Sequence, residues 1–302
     1  MLLTDCLKGV EKVLKVLGDT GREILRQGDN FGDLKNDTEL RADHEVGRVL
    51  LEYFQSRREV GRITIEGGAD MICLEGKWLI YEAGMEEQIP DDAKWVCIDP
   101  IDGSLNYRNS LPEFGVYLPH AVCITVLSTT KRPTFNQVRQ SMVYNLGGRV
   151  SVLANTDEYL DLSRQQLLVN GTSWDPKLRR AKADFNLGKM IMLMDFYYPE
   201  NRDLAHDIFK NEKGYFRSYG SASWEMALVA MGDADLYVSL SQKQHELGAG
   251  YRMIKAVGGA CCDFSGNDIG LRPYDFQTPV PVVMSAYPNL VEEFLSLVRR
   301  CR

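Results

Sequence analysis

Hydrophobic residues recur every three or four positions along two stretches near the start of the chain, a spacing typical of amphipathic helices. The first stretch runs from Thr4 to Leu25 and breaks near Gly28. The second begins near Asp43, after a polar loop, and ends at Gly61. The apolar positions that predict its buried face are Val46, Val49, Leu50, Tyr53 and Phe54. We therefore expect two helices ahead of the first strand.

From Arg62 onward the pattern changes to alternation or to short, wholly apolar runs, both of which predict strands. Two of these runs flank Gly76 and predict a hairpin. The strands expected in this part of the chain are 62–66, 71–74, 78–81, 95–98, 116–127, 140–144 and 149–153. Because the connections between these strands are mostly short, the first half should be rich in antiparallel pairs.

The second half of the chain alternates between the two periods. Strands are expected over 190–194, 234–238, 260–264 and 280–285, and helices over 203–210, 221–231, 247–257 and 290–298. The whole chain is therefore predicted to be an α/β (α+β) protein, with a mixed, antiparallel-rich sheet first and an alternating α/β half second.

Charge and cysteine content narrow the functional classes. The net charge is −7, so a broad surface for nucleic acid or for an anionic membrane is not expected. The seven cysteines are odd in number and form no C-x-x-C pair. A disulfide framework is therefore not expected, and a reducing compartment, the cytoplasm, fits better.

Several acidic residues fall where predicted helices and strands begin or end. Asp99 and Asp102 follow an apolar strand, Glu66 ends another, and Asp43 and Glu246 open helices. Carboxylates that converge in this way repel one another unless cations lie between them. Oxygen ligands of this kind suit Mg²⁺ or Mn²⁺. The other interpretation is a tight loop with two solvated acids, since Asp, Pro and Gly all favour turns.

The run from Asp99 to Tyr107, DPIDGSLNY, resembles the metal-binding signature of the inositol monophosphatase and fructose-1,6-bisphosphatase superfamily. The segment 217–222, followed by 234–237 and by Glu246 ahead of a Gly-Gly pair, resembles the C-terminal signature of that superfamily. A weaker match covers residues 35–43. The resemblance implies a layered α-β-α-β-α fold and Mg²⁺-dependent hydrolysis of a phosphate ester, with two or three ions and Mn²⁺ as an alternative.

The same resemblance assigns roles to residues of this chain. Metal ligands would be the side chains of Glu66, Asp99, Asp102 and Glu246 and the carbonyl of Ile101. Catalytic roles would fall to Ser104, in place of a threonine that orients water, and to Asp43 and Glu66. The residues implied to contact substrate are Gly103, Ser104, Gly220, Ser221, Ala222, Ser239 and Glu246.

The chain also departs from the family pattern. The family has Gly-Glu-Glu at the strand end, whereas this chain has Glu66-Gly-Gly, which leaves Glu82 as a rival ligand. Where the family has Trp-Asp, this chain has His245-Glu246. His245 could pack or cap a helix, or it could contact substrate. Ser239 replaces a glutamate that binds inositol hydroxyls in relatives, which weakens the case for inositol phosphate.

The sequence therefore predicts a Mg²⁺-dependent phosphomonoesterase for a small polyol or sugar phosphate. Fructose 1,6-bisphosphate and 3′-phosphoadenosine 5′-phosphate are alternative substrates, and the basic residues considered for a second phosphate are Arg108, Arg217, Lys243 and Arg252. A non-catalytic metal- or ligand-binding member of the family is the alternative from another class. Residues 1–180 are expected to carry the metal site and 181–302 to complete the substrate site, in one compact catalytic unit. By resemblance, a homodimer is expected.

Overall fold

The computed structural model describes residues 8–13, 41–109, 118–155, 166–175, 190–196, 198–211 and 215–301. The helices of these ranges are α1 (residues 8–13), α2 (Arg41–Gln55), α3 (Ser104–Asn109), α4 (Pro199–Asn211), α5 (Ala222–Met231), α6 (Gln244–Ala256) and α7 (Pro288–Cys301). The rest of the predicted first helix, its break near Gly28 and the matched segment 35–40 lie outside the described residues. None of the described helices is long and apolar enough to cross a membrane.

Within the described ranges, fourteen strands form two sheets. Those of the first sheet are β1 (Val60–Ile65), β2 (Asp70–Leu74), β3 (Lys77–Ile80), β4 (Lys94–Asp102), β5 (Ala121–Leu127), β6 (Val138–Asn145), β7 (Val150–Asn155), β8 (Gln166–Val169) and β9 (Thr172–Trp174). Those of the second are β10 (Ile191–Leu193), β11 (Tyr215–Arg217), β12 (Leu236–Gln242), β13 (Ala260–Cys262) and β14 (Val280–Ser285).

The first sheet has the order β3-β2-β1-β4-β5-β6-β7-β8-β9. Its pairs are antiparallel except β1 with β4, which are parallel. The second sheet has the order β11-β10-β12-β14-β13 and mixes parallel and antiparallel pairs. The predicted antiparallel-rich first half and alternating second half are therefore confirmed.

Because side chains alternate between the two faces of each strand, the buried residues of the described ranges form three hydrophobic clusters. The helices and sheets that contribute them stack in five layers. In β4, Val96 and Ile98 face α1 and α2, whereas Trp95 and Cys97 face α5 and α6. In β12, Tyr237 faces the same two helices. The opposite face of the second sheet packs against α4 and α7. The order is helices, sheet, helices, sheet, helices, which confirms the predicted α-β-α-β-α arrangement.

Element boundaries differ from the prediction in several places. The strand expected over 95–98 extends to Asp102, and the strand expected from 116 begins at Ala121. The helix expected from 247 begins at Gln244, so Glu246 lies in its first turn. The second helix ends at Gln55, ahead of Gly61. Helix α3 and strands β8, β9 and β11 were not predicted.

Helices α5 and α6 cross so closely that a glycine is required at their contact. A Cβ added at Gly250 would lie 2.3 Å from Met226 Sδ and 2.9 Å from Met226 Cβ. Two residues earlier, on the opposite side of the helix, a Cβ at Gly248 would lie 2.8 Å from Thr125 Cγ2 on β5. The two glycines therefore let α6 fit between α5 and the first sheet, although glycine is a poor helix former. This close packing fixes the position of Glu246 at the start of α6.

We expect Gly250→Ala to lower the free energy of unfolding by about 1–3 kcal/mol, because the added methyl group forces α5 and α6 apart. Urea unfolding followed by circular dichroism measures this change. Gly148→Ala is the matched control, since its Cβ would meet Asn145 Oδ1 at 3.4 Å, an ordinary contact. Equal stability of the two variants would contradict this account of the helix contact.

Candidate metal and phosphate site

The carboxyl end of β4 carries Asp99 and Asp102 into the interior. The pairing of β4 with β5 is irregular between these two residues, and Pro100, which lacks a backbone N–H, lies at this irregularity. β1 ends at Ile65, and the Glu66 N–H then donates to the Ile98 carbonyl at 2.9 Å. Because β1 and β4 run parallel, Glu66 and Asp99 emerge at the same edge of the sheet.

Residues from five parts of the fold line one cavity of about 440 Å³. The lining residues are Asp43, Glu66, Gly67, Asp99, Pro100, Ile101, Asp102, Gly103, Ser104, Lys243, His245, Glu246 and Gln277. Asp43 comes from the first turn of α2 and Glu246 from the first turn of α6. The acids that the sequence singled out therefore meet at one place. Glu82, the rival to Glu66, is exposed and does not line the cavity.

Asp102 is held by the N-terminus of α5. Its carboxylate accepts hydrogen bonds from the Ser221 hydroxyl at 2.9 Å, the Ala222 N–H at 3.2 Å, and the Ser223 N–H and hydroxyl at 2.6 and 2.5 Å. A helix N-terminus favours an anion because its first N–H groups have no partner within the helix. Burial and the nearby Glu246 nevertheless raise the pKa of Asp102 to about 7, against these hydrogen bonds.

Asp99 has no comparable support. It is buried, and its Oδ2 has no hydrogen-bond partner among the described residues. Burial raises the pKa of Asp99 well above its usual value, and the carboxylates of Glu66, Asp102 and Glu246 raise it further. One oxygen each from Asp99, Asp102 and Glu246 lie within 4.8 Å of one another. An unpartnered buried oxygen in a set of carboxylates fits a divalent cation such as Mg²⁺.

Two basic side chains face Glu66. Lys243 Nζ lies 3.0 Å from Glu66 Oε1, and His245 Nε2 lies 3.2 Å from Glu66 Oε2. Burial alone would raise the pKa of Glu66, but His245 and Lys243 lower it to about 2. Burial alone would lower the pKa of His245, but Glu246 and Glu66 raise it to about 10. Glu66 and His245 thus favour each other's charged forms.

The turn after β4 closes the cavity. Gly103 has a positive φ of 84°, and a Cβ there would lie 2.8 Å from the Gly220 carbonyl oxygen, so glycine is required. The Ser104 hydroxyl donates to the Ile101 carbonyl at 2.8 Å, and both residues line the cavity. These two predicted site residues are therefore in contact with one another.

Four residues that the resemblance assigns to substrate contact have other hydrogen-bond partners in the structure. Gly220, Ser221, Ala222 and Ser239 do not line the cavity. The Gly220 N–H donates to Glu225, whereas Ser221 and Ala222 hold Asp102. Ser239 is fully buried, and its hydroxyl meets the Ser241 N–H at 3.2 Å. Ser221 and Ala222 therefore support Asp102, and substrate contact through these four residues stays a prediction.

The cavity has three further lining residues with polar side chains that the sequence analysis did not assign to the metal site. Lys243, His245 and Gln277 line the cavity without having been assigned to the metal site. Of the basic residues considered for a second phosphate, Arg217 and Arg252 do not line it, and the side chain of Arg108 lies outside the described residues. The departure from Trp-Asp to His245-Glu246 was the available signal for His245. Nothing in the local sequence distinguishes Lys243.

We expect Asp99→Asn to stabilise the protein when metal is removed with a chelator at pH 8. A carboxyl group whose pKa is higher in the folded state costs stability as pH rises above its unfolded value, because the unfolded chain releases the proton first. The free energy of unfolding at pH 8 should therefore be higher for Asp99→Asn than for the metal-free wild type. The gain should vanish below about pH 4, where both states are protonated.

Chemical unfolding at several pH values measures this difference. Asp92→Asn is the control, since Asp92 is exposed and lies outside the cavity. Added Mg²⁺ should stabilise the wild type more than Asp99→Asn and so reverse their order. A metal-free Asp99→Asn protein that is less stable than the wild type at pH 8 would contradict the account of crowded carboxylates.

Comparison with known proteins places the chain in a family. A model of the Inositol monophosphatase family matches residues 7–302. Nus factor SuhB of Haemophilus influenzae is 24% identical over 285 residues, which cover 87% of this chain and 94% of that protein. The chloroplastic phosphatase IMPL1 of Arabidopsis thaliana is 23% identical over 270 residues, which cover 84% of this chain and 62% of that protein.

A solved structure supports the same assignment at the level of the fold. The Thermotoga maritima IMPase superposes with a TM-score of 0.68 and 19% identity, and the match covers 98% of each chain. Since the family model spans nearly the whole chain, and the layered fold and the convergent acids agree with it, the protein belongs to the inositol monophosphatase family.

Proposed function

We propose that the protein is a Mg²⁺-dependent phosphomonoesterase that hydrolyses a small polyol or sugar phosphate. One observation carries this proposal: the carboxylates of Glu66, Asp99, Asp102 and Glu246 converge on a single cavity, with a buried Asp99 oxygen that lacks a partner. The cavity volume of about 440 Å³ falls in the range of small-molecule sites.

The charge of the cavity supports metal dependence. A phosphate monoester carries up to two negative charges near neutral pH, and the floor of this cavity is built from acids. Without cations, the acids would repel the substrate. When bound, Mg²⁺ would neutralise phosphate and carboxylate charge together and favour ionisation of a nucleophilic water. The family membership, together with a curated relative named as a phosphatase, is consistent with this chemistry.

Each residue of the site has a distinct role in the proposed reaction. Glu66, Asp99, Asp102 and Glu246 would hold the ions, with the Ile101 carbonyl as a further oxygen ligand. The hydrogen bonds from α5 fix the Asp102 carboxylate, so this ligand needs no rearrangement. Ser104 lines the cavity beside Ile101, where its hydroxyl would orient the attacking water.

Three further residues bear on the charge of the site and on the choice of substrate. Asp43 lies at the start of α2, where its carboxylate adds to the field around Asp99. Lys243, whose side chain is 44% exposed, would meet the phosphate or a second anionic group of the substrate. The buried position of Ser239 gives no support to inositol recognition through that residue, so a sugar phosphate is as suitable as an inositol phosphate.

A second candidate is a family member that binds metal or ligand without turnover. The observation that favours it is the pairing of Glu66 with both Lys243 and His245, which places two basic groups beside a proposed metal ligand. Several curated relatives are also named Nus factor SuhB, a name that states no phosphatase activity. Metal binding by calorimetry, without phosphate release from any ester, would support this candidate.

A homodimer in the cytoplasm is also part of the proposal. The dimer rests on the family resemblance, and the compartment is consistent with the five described cysteines, Cys73, Cys97, Cys123, Cys261 and Cys262, which are free. Sedimentation velocity should give about twice the monomer mass of 34.2 kDa. A single species at the monomer mass would exclude the dimer, and cell fractionation tests the compartment.

Phosphate release from a panel of inositol, sugar and nucleotide phosphates should require Mg²⁺. The rate should fall about 100-fold or more in Glu66→Gln, because the loss of a metal ligand removes several kcal/mol of electrostatic stabilisation of the transition state. Glu82→Gln is the matched control and should retain activity, since Glu82 is exposed and outside the cavity. Full turnover by an Asp99→Asn, Asp102→Asn double variant would exclude the proposed mechanism.

A further inference from the structure

His245 is a buried imidazole that pairs electrostatically with Glu66 through Nε2 but makes no hydrogen bond of good geometry. Only 2% of its side-chain surface is exposed, and neither ring nitrogen has a hydrogen-bond partner among the described residues. One face of the ring packs against Phe276, with the ring centroids 5.0 Å apart. Buried polar atoms are nearly always satisfied by a protein group, water or an ion. A cation bound between Nε2 and the neighbouring carboxylates would take the place of the imidazole proton and would also give the unpartnered Asp99 Oδ2 a partner.

The position of Nε2 shows where that partner would lie. Nε2 is 3.2 Å from Glu66 Oε2, 3.6 Å from Glu246 Oε1 and 4.0 Å from Asp99 Oδ2. Donor atoms of Glu66, Asp99 and His245 lie within 4.8 Å of one another, as do donor atoms of Asp99, Asp102 and Glu246. The two groups share Asp99. One group has a nitrogen donor, and the other has oxygen donors only.

We propose that His245 Nε2 is a metal ligand, together with Glu66 and Asp99, and that it makes this position selective for a transition metal such as Mn²⁺ over Mg²⁺. Imidazole suits first-row transition ions, whereas Mg²⁺ prefers oxygen ligands alone. The position formed by Asp99, Asp102 and Glu246 keeps oxygen donors and suits Mg²⁺. The inference rests on the metal-binding part of the proposed function and is independent of the substrate.

A purely structural histidine would not need this environment. Packing against Phe276 requires only an apolar ring. An imidazole that merely capped a helix would donate to, or accept from, a backbone group. Neither ring nitrogen does so within the described residues. What the imidazole adds over an apolar ring is a nitrogen directed at three carboxylates.

Electron spin-echo envelope modulation of the Mn²⁺-loaded full-length protein tests the proposal without using activity. A directly bound imidazole should give ¹⁴N modulation, and growth on ¹⁵N-histidine should replace this signal by that of ¹⁵N. The labelled wild type alone decides the point, so the experiment does not depend on the folding of a variant. In His245→Gln the nitrogen signal should disappear. His206→Gln is the matched control and should retain it, since His206 is exposed on α4.

Competition between Mn²⁺ and Mg²⁺ supplies a second measurement. His245→Gln should lower the preference for Mn²⁺ about tenfold or more, a change comparable to the loss of other groups that tune a metal site. One outcome is that the wild type binds Mn²⁺ through Asp99, as shown by loss of binding in Asp99→Asn, but gives no histidine nitrogen signal. This outcome would overturn the present inference and leave the proposed function standing. No Mn²⁺ or Mg²⁺ binding to the wild type would overturn both.

Discussion

The crowding of buried carboxylates is the constraint on which the rest of the site depends. Asp99, Asp102 and Glu246 approach within a few ångströms of one another, at a place from which most water is excluded. Like charges in such a place oppose folding unless protons, cations or helix termini compensate them. The fold supplies one compensation itself, since the N-terminus of α5 donates hydrogen bonds to Asp102. Asp99 receives none to its Oδ2, so a bound cation would supply the compensation that the described residues do not.

This hydrogen bonding also explains how the two sheets come to share one site. Asp102 belongs to the first sheet, and the groups that hold it begin a helix about 120 residues later. α5 is mostly apolar and nine of its ten residues are buried, so it is stable only when it is covered on nearly all sides. Between the two sheets it meets that requirement, and its polar N-terminus then faces the edge where β4 ends. The packing of an apolar helix thus determines where its anion-binding end lies.

Much of this arrangement could be predicted from the sequence because it depends on local patterns. Alternation identified most strands, and the acids at strand and helix ends identified the edge where the site forms. The β8–β9 hairpin was missed although its Asn170-Gly171 turn, with both φ values positive, is a strong hairpin signal. The pairing of Lys243 with Glu66 could not be predicted in the same way, since 177 residues separate them and nothing local specifies the contact.

The acidic and basic side chains of the cavity differ in their exposure to solvent. Asp99 is 3% exposed and Glu246 13%, whereas Glu66 is 33% and Lys243 44% exposed. The floor is therefore acidic, and a positive charge stands nearer the mouth. Without cations, the carboxylates of the floor would repel an anionic ester that approached Lys243. Cations bound at the floor would neutralise these carboxylates and remove that repulsion. If the proposed function holds, cation binding and phosphate binding at this site must reinforce each other, because each cancels the charge that opposes the other.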